Sequence, residues 1–136
     1  MKRLVFLFVP LVMPLLASCA VYDAITMTGF DPNEYRIITE IRVDAAYYRD
    51  GCANPLVAQT NAVAMARKTE LYEVYSEQIP NNKDSYKAAQ SLNEIAQGLA
   101  KRYDTPPVPP LFCKLKYTSI ENSAKVIQHV IGNRPR

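Results

Sequence analysis

The sequence predicts a mainly α domain, a small bundle of three to four helices. Three observations carry that expectation. A capping side chain followed at once by proline occurs at Asp31-Pro32 and again at Asn54-Pro55; the cap's oxygen takes up free backbone N–H groups, and proline fills a position with no donor to lose. Apolar residues recur at intervals of three and four in each of several segments, as at Ile37, Ile38 and Ile41, at Ala88, Leu92, Ile95 and Leu99, and at Ile120, Ala124, Ile127 and Ile131, the period of a helix with one inner face. No proline or glycine falls between Pro55 and Pro80, so a long helix can run there uninterrupted.

The first helix is expected over about 32–49. Asp31 is its N-cap, Glu34 stands where a capping box would reach back, and Gly51 suits the stop. Ile37, Ile38, Ile41, Ala45 and Tyr48 form its inner face. Ile37, Thr39, Ile41 and Val43 also alternate as a strand would, but the caps at both ends favour the helix. The second helix opens at Asn54-Pro55 and reaches the turn Pro80-Asn81-Asn82, with a mixed apolar face: Ala58, Ala62, Met65 and Tyr72, beside Val57, Ala64, Leu71 and Val74. Asp84 is the expected cap of the third helix, where Ala88, Leu92, Ile95 and Leu99 make one stripe. The second and third helices therefore read as an antiparallel hairpin.

Thr105 to Pro110 holds four prolines in six residues, which predicts a stiff, extended spacer. Its two overlapping Pro-x-x-Pro spacings are of the kind that dock into aromatic grooves. Lys114-Leu115-Lys116-Tyr117 alternates and reads as a short edge strand or an extended segment. Thr118-Ser119-Ile120-Glu121 then reads as a capping box opening a last helix, with Ile120, Ala124, Ile127 and Ile131 on one face and Gly132 at the end. Asn133 to Arg136 is expected to be loosely held, and no internal repeat is present.

The amino terminus has a different character. Lys2 and Arg3 precede a 13-residue apolar run, Leu4 to Leu16, broken by Pro10 and Pro14. That is the pattern of a signal peptide; it falls short of the roughly 20 apolar residues that span a bilayer. The run ends in Leu16-Ala17-Ser18-Cys19, which resembles the lipobox of bacterial lipoproteins. The resemblance covers these four residues only. It implies a diacylglycerol on the Cys19 thiol, cleavage between Ser18 and Cys19, and an acylated new amino terminus, which together hold a protein on a membrane without spanning it. Ala20, rather than Asp, follows Cys19, and in enteric-type bacteria the family pattern then favours the outer membrane. The other reading is an ordinary secreted protein in which Cys19 is incidental. On the lipoprotein reading the chain divides into a signal peptide (1–18), a lipidated cysteine with a short tether (19–30), a helical domain (31–132) and a tail (133–136).

Once Cys19 carries lipid, Cys52 and Cys113 remain as an even pair in an oxidising compartment, and a disulfide is the expectation. Free thiols or an intermolecular bond are the alternatives. The charge also changes: the full chain has 16 basic and 13 acidic side chains, and losing Lys2 and Arg3 leaves 14 against 13. Such a balance gives nucleic-acid binding no support. The charges are unevenly placed, with 7 basic and 2 acidic residues from 101 to 136. Lys114, Lys116, Lys125, Arg134 and Arg136 read as a solvated surface complementing the acidic first half, or as a face for anionic lipid or an acidic partner.

No residue pattern points to catalysis. His129 is the single histidine, so no paired-His metal site can be assembled, and it reads as a surface residue. Glu70, Glu73 and Glu77 lie at helical spacing on one face, as a solvated stripe does, whereas glycan cleavage needs two carboxylates across a cleft. No catalytic, metal or cofactor-binding residue is assigned. The tyrosine pairs Tyr47-Tyr48 and Tyr72/Tyr75 suit helix seams or docking surfaces. The expected role is a non-enzymatic envelope lipoprotein, a structural or protein-interaction component that binds another envelope protein or helps an assembly. The alternatives are a phage- or prophage-encoded lipoprotein of lysis or exclusion, similar to outer-membrane spanin subunits in its lipobox and prolines, and a cell-wall turnover enzyme.

Overall fold

Asp31 starts the folded part: its carboxylate accepts the Glu34 N–H at 2.8 Å, and α1 (Pro32–Asp50) follows from Pro32. The structure, a computed structural model, describes residues 28–136. After α1 a single 3-10 turn (Gly51–Ala53) leads to Asn54, whose side chain accepts the N–H groups of Leu56 and Val57 and so opens α2 (Pro55–Glu77). The turn into α3 (Lys83–Arg102) places Asn81 at φ 60°, a left-handed conformation that asparagine tolerates better than most residues. α4 (Pro110–Gly132) closes the fold.

The four helices run alternately up and down. α1 packs most extensively against α4, and α2 against α3; smaller contacts join α1 to α2 and α3 to α4. α2 and α4 therefore lie across a diagonal, with outer surfaces facing opposite ways. Ile38, Ile41, Met65, Tyr72, Leu92, Leu99, Tyr117, Ile120 and Ile131 are fully buried between them, each large apolar side chain stabilising the fold by about 1.5–3 kcal/mol. The expected inner faces of the first three helices are largely in place, although Tyr48, Ala88 and Ile95 are only partly buried. On α2 the mixed face separates: Ala58, Ala62, Met65 and Tyr72 point inward, while Val57, Leu71 and Val74 are exposed.

The fold corrects several local expectations. α4 begins at Pro110, eight residues before the supposed capping box, so Lys114 to Tyr117 is helical. Cys113, Tyr117, Ile120, Ala124, Ile127 and Ile131 are all buried at intervals of three and four; burial of that line outweighs the short alternation around Leu115. Thr118 then sits mid-helix, with its hydroxyl on the Lys114 carbonyl. The non-helical spacer is accordingly Tyr103 to Pro109 and includes a cis Pro106-Pro107 bond. Asp84 lies in the first turn of α3, but the residue before the helix is Asn82, whose side chain does not cap it. Gly51 has φ −76°, so it is not a left-handed stop; an added Cβ would lie 3.0 Å from Val57 Cγ1, and close approach to α2 is what glycine permits there.

Candidate functional site

The alternating helices place the start of α1, the end of α2, the start of α3 and the end of α4 at one pole, here called the proximal pole. Glu34 is buried there with 0% side-chain exposure and Arg134 with 7%, paired at 2.5 Å. The second carboxylate oxygen of Glu34 accepts from Asn82 Nδ2 at 2.9 Å, Ser76 Oγ at 3.3 Å and Tyr72 Oη at 3.5 Å. Arg134 also donates to Asn82 Oδ1 at 2.7 Å and to Ser85 Oγ. One ion pair thus draws on α1, α2, α3 and the residues after α4. It also complements the helix dipoles, with the acid in the first turn of α1 and the guanidinium just past the end of α4. Burial drives the Tyr72 phenol pKa up, with the Glu34 charge adding to it, so Tyr72 stays a neutral donor to the carboxylate.

This cluster overturns two readings. Glu34 does not reach back as a capping-box side chain, and the tail is not loose: Arg134 is buried, Pro135 accepts the Phe30 N–H at 2.8 Å, and the Arg136 guanidinium lies 5.1 Å from the Phe30 ring centre. Arg134 consequently leaves the set of solvated cations. Thr28, the first described residue, donates to the Asn81 carbonyl at 2.6 Å. Thr28 therefore lies at this pole.

At the opposite, distal pole Cys52 and Cys113 form the expected disulfide, with Cα atoms 5.8 Å apart. It ties the 3-10 turn after α1 to the first turns of α4 and closes a loop that contains all of α2 and α3. Tyr117, one turn beyond Cys113, packs edge-on against Tyr48 at 6.0 Å, and its buried hydroxyl has no hydrogen-bond partner among the described residues. Burial drives its phenol pKa up as well.

The seams between helices are polar and specific. Arg42 donates to Gln128 at 2.8 Å, Gln128 to Thr39 at 2.7 Å, and Arg49 pairs with Glu121 at 2.7 Å across α1 and α4. Lys68 of α2 pairs with Asp44 of α1 and lies 3.6 Å from Glu40. Between α2 and α3, Asn93 donates to Glu73 at 2.6 Å and accepts from Thr69 at 3.0 Å. Glu73 is therefore half-buried in a seam, while Glu70 and Glu77 remain exposed; the three do not form one solvated stripe. His129 is on the surface of α4, as expected, beside Asn133.

No family model, no curated protein and no solved structure matches the chain. Among the described residues there is no cluster of His, Cys, Asp and Glu able to hold a metal ion, and no helix is long and apolar enough to cross a membrane. Ser18 and Cys19, the expected cleavage and lipidation positions, lie outside the described residues.

Among the described residues, the outer faces of α2 and α4 carry exposed large apolar side chains along their length without a packing partner. On α2, Leu56 (77% exposed), Val63, Leu71 and Val74 form a stripe along its length. A shallow groove of about 520 Å³ runs along it, lined by Thr60, Val63, Ala64, Arg67, Lys68 and Leu71. On α4, Leu111, Leu115, Val126 and Val130 are similarly exposed. The outer face of α3 is polar by contrast, presenting Lys87, Ser91, Glu94 and Lys101. The tyrosine pairs mostly pack in the core and seams: Tyr72 is buried, Tyr48 and Tyr75 are half-buried, and of the two pairs only Tyr47 stands out in solvent.

Proposed function

We propose that the chain is a lipid-anchored component of the bacterial cell envelope that works by binding another envelope protein, without catalysis of its own. The anchor reading rests on Leu16-Ala17-Ser18-Cys19 and the charged and apolar segments before it. Eight residues separate Cys19 from Thr28; at no more than about 3.6 Å each, they keep the proximal pole within roughly 30 Å of the bilayer on this reading. Facing the periplasm from the outer membrane, the bundle would present its sides to the envelope space.

The observation that carries the binding role is the outer stripe of α2. Leu56, Val63, Leu71 and Val74 repeat along one side of a 23-residue helix, and an apolar strip of that length on a bundle held rigid by a disulfide and a buried ion pair is what a helix-in-groove or helix-on-helix partner requires.

A photo-crosslinking residue introduced at Val63 or Leu71 in living cells is expected to capture one discrete partner, whereas the same residue at Ser91 or Glu94 on α3 captures none. Equal capture from both faces would overturn the assignment. The anchor is tested separately by palmitate labelling, which is expected to disappear in Cys19→Ser; labelling that persists in that variant refutes it.

A further inference from the structure

The two exposed apolar faces differ in the charge around them. On α2 the stripe is mixed, with exposed Arg67 alongside exposed Glu70 and Glu77, while Lys68 is paired with Asp44 of α1. On α4, Leu111, Leu115, Val126 and Val130 fall within roughly 100° of helical arc, and the charges beside them are all cationic: Lys114 and Lys125 exposed, Lys116 half-buried with its ammonium 5.6 Å from the Phe112 ring centre. Glu121 is the single acid on the helix, and Arg49 neutralises it. A groove of about 830 Å³ follows the α1–α4 seam beside this face and holds Arg42, Lys125 and His129 together with Val126.

Apolar side chains edged by lysines, on a helix whose single acid is paired, match the headgroup–acyl boundary of an anionic bilayer; the exposed Asp84 of α3, which lines a pocket with Val130, stands next to Lys83. The path of the chain agrees. Phe30 is bonded to Pro135 and stacked under Arg136, so the segment leading back to Cys19 starts beside the carboxyl end of α4. We propose that the outer face of α4 lies on an anionic phospholipid surface, with Leu111, Leu115, Val126 and Val130 entering the boundary region and Lys114, Lys116 and Lys125 against lipid phosphates. The bundle then lies side-on, and α2, across the diagonal, faces away from the membrane. The inference deepens the lipid-anchored reading, which supplies the membrane, but the face itself acts without the acyl chains.

The test uses the disulfide-bonded chain from Ala20 to Arg136, which has no lipid and keeps every core residue and contact described. Co-sedimentation is measured with vesicles of phosphatidylcholine alone and with 30% phosphatidylglycerol. Binding is expected with the anionic vesicles only and to weaken as salt is raised. Lys114→Gln with Lys125→Gln should weaken it about 25-fold, at about fivefold per lysine. Leu115→Ser with Val126→Ser should weaken it as well, and Val63→Ser with Leu71→Ser on α2 should leave it unchanged. All these positions are exposed, and circular dichroism verifies that each variant is folded.

The proposal is overturned by equal binding to both vesicle types, by no binding to either, or by displacement with millimolar inorganic phosphate. It is also overturned if the α2 variant loses as much binding as the α4 variants, or if sedimentation equilibrium shows a dimer that Leu115→Ser with Val126→Ser dissolves. Because this chain carries no lipid, loss of the Cys19 anchor hypothesis would leave the result standing, and failure here would leave palmitate labelling unaffected.

Discussion

Replacing Arg134 by alanine should unfold this protein at a far lower temperature than a substitution two residues from the end of a chain would suggest. The perturbation leaves the Glu34 carboxylate fully buried with its cation gone. Breaking a buried ion pair from one side costs about 3–5 kcal/mol. Asn82, Ser76 and Tyr72 still donate to Glu34, which sets the expected loss near the lower end, about 3 kcal/mol. For a domain of this size 1 kcal/mol moves Tm by about 4–8 °C, so Arg134→Ala should lower it by roughly 12 °C or more. The assay is thermal and urea denaturation followed by circular dichroism. Arg36, an α1 residue whose side chain is 62% exposed and which pairs with Glu40 one turn on, is the control; Arg36→Ala should cost less than about 0.5 kcal/mol. The double variant Glu34→Gln with Arg134→Met removes both charges, keeps an acceptor for Asn82, Ser76 and Tyr72, and should recover part of the loss. An Arg134→Ala effect no larger than the Arg36 control, or a double variant no better than the single one, would refute the reasoning.

Three further outcomes are expected. Tyr117→Phe removes a buried hydroxyl that lacks a partner among the described residues, and should raise stability by about 1 kcal/mol in urea titration. Cys52→Ser with Cys113→Ser opens a loop spanning 61 positions; the chain-entropy model gives about 4 kcal/mol as the loss, read as a shift in denaturation midpoint. Stability should fall as pH rises above 10, because burial raises the Tyr72 and Tyr117 pKa in the folded state while the unfolded chain ionises near 10 and so binds fewer protons there. In a spectrophotometric titration these two phenols should ionise only together with unfolding.

The legible parts of this fold were those governed by neighbours in sequence. Asp31 and Asn54 each cap within three residues, and Ile37, Ile38, Ile41 and Ala45 on the inner face of α1 follow from spacing alone. The start of α4 is less legible, because four prolines in six residues read as a spacer, although Pro110 occupies a first helical position as Pro32 and Pro55 do. The line Cys113-Tyr117-Ile120 would have revealed it, since its helical spacing continues the run through Ile131. Glu73 looked solvated because helical spacing places three glutamates near one another but says nothing of Asn93 across the seam. Glu34 and Arg134 were the furthest from reach: 100 positions apart, they meet only because four helix ends converge.

The sequence by itself determined that the chain is helical and roughly where its helices lie. It also left Cys52 and Cys113 as the expected pair once Cys19 was set aside, because caps, periodicity and cysteine parity are properties of short stretches or of simple counts. Only the tertiary structure decided which polar groups are buried together, which apolar stripes stay uncovered, and that the tail is a fastening rather than a fringe. Those outcomes depend on which helices become neighbours, and burial is a property of that arrangement and not of any one segment.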